Sequence, residues 1–275
     1  MKQYLDLMQE IMDHGVDRPT RTGVDTRAVF SRMMRFNMAD GFPAMTTKRL
    51  YFHGVKAELL WFLKGSSDNR ELQELGVHIW DTNADSSNWR PKARFEGDLG
   101  RVYGVQWRSW QTPDGTIIDQ IKRVIEQIKK DPYGRRHIVT AWNPGELEQM
   151  ALPPCHMLFQ FFVAEGTLSL KMDQRSCDMF LGVPFNIASY SLLLHMIAQV
   201  TGLKAGEFVH ILGDTHIYHN HFDQTREQLS REPYVLPTLW LNPKIQDIDD
   251  FTMDDIRLEK STYKSHPAIP APMND

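Results

Sequence analysis

Cys155 stands in ALPPCHM, behind two prolines that fix the incoming chain and just ahead of an apolar strand-like run, while Arg175 stands in QRSCD at 174–178. A thiolate is a strong nucleophile. A guanidinium brought beside it lowers the thiol pKa and makes it available near neutral pH, as covalent catalysis requires. The plain alternative for such a cysteine is a small buried hydrophobe. Arg21 in DRPTRTG and the pair Arg135-Arg136 in GRRHIVTAW join Arg175-Ser176 in polar turn contexts. Four arginines so placed offer the forked donors that a phosphate dianion takes. If extended, Arg135 and Arg136 point to opposite faces, so a solvated strand end is their plain alternative.

His216, His219 and His221, with Asp214 and Tyr218, crowd the stretch GDTHIYHNH. Their spacings match no zinc signature, HExxH is absent, and PPCHM lacks the second cysteine of the PCxxC found in zinc deaminases. Histidines and a tyrosine in a polar turn after a strand can instead hydrogen-bond a sugar, or form a solvated cluster. In FLGVPFN (180–186), Gly182 and Pro184 force an irregular approach to a helix and bring Asn186 to the bend. Its amide carries donor and acceptor together, which suits the edge of a pyrimidine as well as a helix N-cap. Trp80 in HIWD and Tyr103 in GRVYG are aromatics near turns, where core and site roles both fit.

The elements that must position these residues follow from periodicity. Tyr4, Leu5, Met8, Ile11 and Met12 recur at helical spacing before Gly15, and GVKAELLWFLKG (54–65) forms a core helix that carries one acid, Glu58. Ile118, Ile121, Val124, Ile125 and Ile128 mark a further helix that ends at Asp131-Pro132, and the strand-like HIVTAW (137–142) follows. MLFQFFVA and TLSLKMDQR are parted only by Glu165-Gly166, a hairpin signature. A long helix is expected over 186–202, then a strand over 207–212, with the histidine-rich stretch as a polar turn beyond it.

The chain has 275 residues, 41% apolar and 24% charged, with 31 basic against 35 acidic side chains, a net −4. This fits a globular protein with a large core and excludes collagen-like, disordered and mini-protein classes. The acidic balance gives no basic field for nucleic acid or an anionic membrane. Two cysteines are too few for a disulfide framework and point to a reducing compartment, and no secretory signal is visible, so a cytoplasmic protein is expected. No repeat, linker or composition break divides the chain. The expectation is one α+β domain over 1–275, with a polar insertion at about 86–97 and a C-terminal tail at about 266–275.

Taken together, these motifs resemble the thymidylate synthase family nearly end to end: RTG, MRFN, GFPAMTTKR, ELLWFLKG, HIWD, GDLGRVYGVQWR, RRHIVTAWNP, MALPPCH, QRSCDMFLGVPFNIASY, GDTHIYHNH and SHPAI, in the family's order. The resemblance implies a mixed β-sheet flanked by helices and a homodimer packed sheet on sheet. It implies reductive methylation of dUMP by 5,10-methylenetetrahydrofolate, giving dTMP and dihydrofolate, with no metal. Cys155 would add to C6 of the base, with Arg175 supporting the thiolate, Glu58 and Tyr103 organising proton transfer, and His156 catalytic beside the nucleophile. Arg21, Gln174, Arg175, Ser176, Asp178, Asn186, His216 and Tyr218 would bind dUMP, with Arg135 and Arg136 reaching the phosphate from the other subunit. Asn186 would read uracil, where relatives acting on dCMP carry an acid. Lys48, Tyr51, Ile79, Trp80, Asp178, Leu181, Gly182, Phe185, Tyr218 and Met273 would meet the folate, and Cys177 has no expected chemistry.

Departures from the family's pattern matter for the product. Asn83 stands where a second tryptophan is common, and Tyr51 where histidine is frequent. The tail reads PAPMND rather than ending in small apolar residues. That tail normally closes over the folate and keeps water from a reactive methylene on C5. If a polar tail admitted water, the product would be 5-hydroxymethyl-dUMP, as in the related hydroxymethylases. A reading from another class is an idle homologue kept for binding, which the intact Cys155, Arg175, Asn186 and Asp178 oppose.

Overall fold

Alternating burial along 156–178 builds the centre of the protein. A computed structural model describes residues 1–274. In it, the first helix, α1 (Lys2–His14), is followed by β1 (Val16–Arg18) and β2 (Thr26–Asn37), then by the helices α2 (Phe52–Lys64), α3 (Arg70–Glu74), α4 (Asp81–Ala84) and α5 (Tyr103–Arg108). A small ribbon of β3 (Trp110–Gln111) and β4 (Ile117–Ile118) leads to α6 (Gln120–Lys130), and β5 (Ile138–Thr140) precedes the hairpin of β6 (His156–Ala164) and β7 (Thr167–Asp178). The long helix α7 (Gly182–Thr201), β8 (Lys204–Tyr218), α8 (Phe222–Leu229) and a ribbon of β9 (Leu239–Leu241) and β10 (Ile256–Leu258) complete the chain.

One six-stranded sheet, in the order β1-β2-β8-β7-β6-β5, organises everything else. Every neighbouring pair is antiparallel except β7 and β8, which run parallel and are joined by α7. The expected mixed sheet flanked by helices is therefore present, in a single α+β domain. The β6–β7 hairpin turns at Glu165 and Gly166, with φ of 49° and 71°, the doubly positive pair that a tight turn matched to strand twist requires.

α7 is 20 residues long and apolar enough to cross a membrane by composition, yet 83% of its most apolar window is buried inside the protein. It is the core helix. Its Tyr190 stacks on Phe208 of β8 and meets Phe159 of β6 edge to face, which fixes the helix over one sheet face. It starts at Gly182, four residues before the expected start, so Asn186 lies inside the first turns rather than capping them.

Two further differences bear on function. The histidine-rich stretch expected as a turn is the second half of β8, which continues to Tyr218 and sets His216 across from Asp178. β8 can pass so close to β7 because of Gly213: a Cβ there would lie 2.9 Å from the Arg175 carbonyl oxygen. The insertion at 86–97 is polar but anchored, since Trp89 is buried and its Nε1 donates to the Asp98 carbonyl. The Asp98 carboxylate in turn takes hydrogen bonds from Arg94 and Ser67, which hold its pKa below the usual carboxylate range against the burial that opposes them.

Candidate active site

Cys155 enters β6 on a loop that Arg175 holds from behind. The Arg175 Nε donates to the Pro154 carbonyl at 2.9 Å and its terminal nitrogen to the Pro153 carbonyl at 2.8 Å, while its main-chain N–H donates to the Cys155 carbonyl at 2.8 Å. The guanidinium also lies 5.5 Å from the centre of the Trp142 ring. The two prolines thus present carbonyls, undistracted by neighbouring donors of their own, to one fork. Burial raises the Cys155 thiol pKa above its ordinary value, and the charges of Arg175 and Arg21 pull it back without overcoming that burial. The sequence expectation of a thiol simply lowered by arginine is thus corrected: desolvation dominates, and the two guanidiniums offset part of it.

A buried acid and a phenol lie on the helical side of the thiol. Tyr103, at the start of α5, accepts a hydrogen bond from the Cys155 N–H at 2.7 Å, and burial raises its pKa well above 10, so the phenol keeps its proton. Its ring is 4.9 Å from that of His156 and 6.0 Å from that of Trp80. Glu58, 7% exposed on α2, accepts from Trp80 Nε1 at 2.7 Å. Burial pushes its pKa up to about 7, and the single bond from Trp80 only partly offsets this. α2 and α5 pack this closely because Gly104 carries no side chain: a Cβ there would meet the Phe62 backbone within 3.0 Å. His156 is buried, and burial first, then Arg175, lowers its pKa to about 3, so it acts only as a neutral imidazole.

The far side of the site is a row of fixed polar groups. Asn186 Oδ1 accepts from Gln174 Nε2 at 3.0 Å. Gln174 is itself 3% exposed and fully engaged, which sets it behind Asn186 rather than at an open surface. His216 Nδ1 lies 3.1 Å from Asp214 Oδ1, and the same carboxylate pairs with Arg18 at 2.6 Å, so Nε2 of His216 is the nitrogen left to face outward. Asp214 is a positioning residue, which the sequence shows only as part of a histidine-rich run. Tyr218 meets the His216 ring edge to face at 5.4 Å. Ser176 is half-buried and Arg21 exposed.

The residues expected to hold a folate line the neighbouring rim. Asp178 Oδ1 accepts the main-chain N–H groups of Phe180 and Leu181 at 2.9 and 3.1 Å, so its carboxylate is rigidly aimed and one oxygen remains for a ligand donor. Lys48 is buried; its Nζ donates to the Phe180 carbonyl and lies 3.6 Å from the Phe180 ring centre. Desolvation lowers its pKa to about 8, although Asp178 pulls the other way. Tyr51 is 46% exposed and donates to the Gly76 carbonyl, while Ile79, Leu181 and Phe185 are half-buried and Gly182 opens α7. Cys177 is fully buried, its thiol pKa raised by burial, and its Sγ donates to the Gln174 carbonyl. It is a core residue.

Arg135 and Arg136 are not brought to this site. They are exposed and precede β5, whose neighbour His137 accepts from the N–H of Phe161. Six residues of extended β6 separate that level from Cys155, roughly 20 Å.

The tail is docked. His221 Nε2 donates to the Pro272 carbonyl at 2.8 Å, and the amides of Asn220 and Asn274 pair reciprocally at 2.8 and 3.2 Å. The His221 ring lies 5.6 Å from that of Tyr218, which puts the tail against the site, with Met273 57% exposed.

The site brings together a partly buried thiol within the field of two arginines, a buried acid, an amide fixed from behind and a carboxylate held by main-chain N–H groups. The family model for thymidylate synthase matches residues 2–274, which makes this an enzyme of folate-dependent one-carbon transfer to a pyrimidine nucleotide: the chain belongs to the thymidylate synthase family.

Proposed function

We propose that the chain methylates dUMP reductively, giving dTMP and dihydrofolate. The observation that carries this reading over hydroxymethylation is the docked tail. Asn274 pairs with Asn220 and the Pro272 carbonyl with His221, which holds the tail down; Asp275 lies outside the described residues. Closure of this kind favours capture of hydride over water by the methylene on C5.

The residues divide the work as follows. Arg21, Arg175 and Ser176 take the phosphate, His216 and Tyr218 the sugar, and Asn186 the base. The Cys155 thiolate adds to C6, which turns C5 into an enolate carbon nucleophile. Methylenetetrahydrofolate, its pterin met by Asp178, supplies the one-carbon unit to C5. The C5 proton is lost as the bond from that carbon to the folate nitrogen breaks, and the tetrahydrofolate so freed gives a hydride to the resulting methylene and becomes dihydrofolate. Glu58, with a pKa of about 7, exchanges a proton with the developing enolate near neutral pH, and Tyr103, protonated throughout, holds the Cys155 main chain in place. Neutral His156 is the thiol's neighbour in the chain and does not serve as an acid. Expulsion of Cys155 from C6 releases the product.

Mass analysis of the nucleotide formed from dUMP and methylenetetrahydrofolate is expected to show dTMP with a stoichiometric rise of dihydrofolate. Predominant 5-hydroxymethyl-dUMP, with tetrahydrofolate left unoxidised, overturns the reading in favour of the hydroxymethylase.

We infer a homodimer as part of the same reading. The sheet face away from α7 carries Met33, 54% exposed, and Phe162, 66% exposed, with Val209 and Ile211 half-buried between them. A second copy laid on that face would cover it, and it would supply the Arg135 and Arg136 that lie too far from Cys155 in their own chain. Phe162→Glu is expected to turn a particle of twice the chain mass of 31.9 kDa into a monomer by light scattering and to lower activity at least about tenfold. A fully active monomeric wild type sinks the dimer.

A further inference from the structure

His210 of β8 and Gln174 of β7 lie behind Asn186, 0% and 3% exposed. The Gln174 Nε2 donates to the Ser176 main-chain carbonyl at 2.9 Å and to Asn186 Oδ1 at 3.0 Å, and its Oε1 is 2.8 Å from His210 Nε2. A side-chain amide can be turned over, oxygen for nitrogen, with little change of shape. Here a main-chain carbonyl decides the matter. Ser176 O only accepts, so the amide nitrogen of Gln174 must face it, the amide oxygen must face His210, and His210 must carry its proton on Nε2. Burial, and then the neighbouring His156, hold the His210 pKa down at about 3, so the ring is neutral with a single N–H. Its Nδ1 is buried with no hydrogen-bond partner among the described residues, as the bare nitrogen of that tautomer would be.

We propose that His210 is a positioning residue for base selection: its Nε2–H, together with the Ser176 carbonyl, sets the polarity of the Gln174 amide, and Gln174 sets that of Asn186. Asn186 then meets a substrate with its Nδ2 donor and the remaining lone pair of Oδ1 in fixed places. Uracil offers an acceptor at O4 and a donor at N3, which complement that pair. Cytosine in the same pose offers a donor and an acceptor in the opposite order, and mismatches both. An amide free to turn over would accept either base; an amide locked from behind by two elements of the sheet accepts one. Sites whose buried polar groups would be left unpaired reject the wrong ligand strongly. The inference rests on the reading that Asn186 binds the base of dUMP.

The test compares dUMP and dCMP binding by calorimetry in wild type, His210→Leu and His210→Gln, with thermal melts to confirm folding. His210→Leu removes the donor and is expected to reduce the dUMP-over-dCMP preference about tenfold, the net worth of a hydrogen bond of this kind. His210→Gln restores a donor and is expected to restore the preference. An unchanged preference in His210→Leu, with both affinities falling together, overturns the proposal. So does an imidazole nitrogen NMR signal showing His210 protonated or in the Nδ1–H form between about pH 5 and 8, a measurement made on the wild type and independent of any variant. Failure of the wild type to prefer dUMP at all is a separate outcome, and it removes the functional reading itself.

Discussion

Cys155→Ser is expected to lose at least about 10³-fold in turnover while still binding dUMP. The serine is close to isosteric, so the Tyr103 contact to the main-chain N–H of residue 155 and the Arg175 clamp on the Pro153 and Pro154 carbonyls remain. What disappears is the nucleophile. An alkoxide is far harder to form than a thiolate in a site where burial already disfavours the charged form, so residual activity through serine is negligible. Single-turnover dTMP formation, with dUMP affinity measured in parallel, checks this. Near-native turnover in the variant would refute the assignment, and loss of dUMP binding would show that the thiol helps hold the nucleotide.

Glu58→Gln is expected to cost about 10²–10⁴-fold in kcat, the usual worth of a positioned acid or base, and to remove a pH dependence centred near pH 7. The same change has an opposite effect on stability. The folded-state pKa of Glu58 is raised, to about 7 from an ordinary 4.5, chiefly by burial. A carboxyl so raised contributes stability that is fully present below about pH 4.5 and is lost as pH rises through 7. At pH 8 the wild type therefore carries a buried carboxylate penalty of up to about 3 kcal/mol that the amide avoids. The variant should melt above the wild type at pH 8, with the gap closing by pH 4. A variant that is both less active and less stable at pH 8 would mean that Glu58 serves packing, not proton transfer.

Much of this was legible in the chain because the signals are local. The doublet Glu165-Gly166 between two apolar runs announces the hairpin, and the spacing of Ile121, Val124, Ile125 and Ile128 announces α6, where the same four residues are buried. β2 is not announced: its twelve residues, TRAVFSRMMRFN, carry three arginines that find Asp17, Glu10 and Glu207 only in three dimensions. The second half of β8 was hidden for a similar reason, since His216 and Asp214 read as turn residues until Gly213 lets the strand pass close to Arg175. Within the site, the ordered motifs point to Cys155, Arg175 and Asn186, but periodicity is silent on the second layer. His210 sits in the apolar-looking EFVHIL, and its contact with Gln174 exists only once two strands distant in sequence run side by side. The balance of charges on Cys155 was likewise out of reach, because burial is a property of the folded whole.

The parallel pairing of β7 with β8 also dictates when the enzyme is vulnerable during its manufacture. Both strands cover α7, and β8 lies beyond it in the chain. From the moment α7 leaves the ribosome until Tyr218 follows, a 20-residue helix as apolar as a membrane span lacks the cover that β8 gives it. Strand pairing across such a crossover is slow relative to helix formation, and exposed apolar surface in that interval is what chaperones capture and what aggregates. Chains stalled or truncated between about 202 and 218 would then be the insoluble ones, and the helix that places Asn186 would be the segment that drags them down.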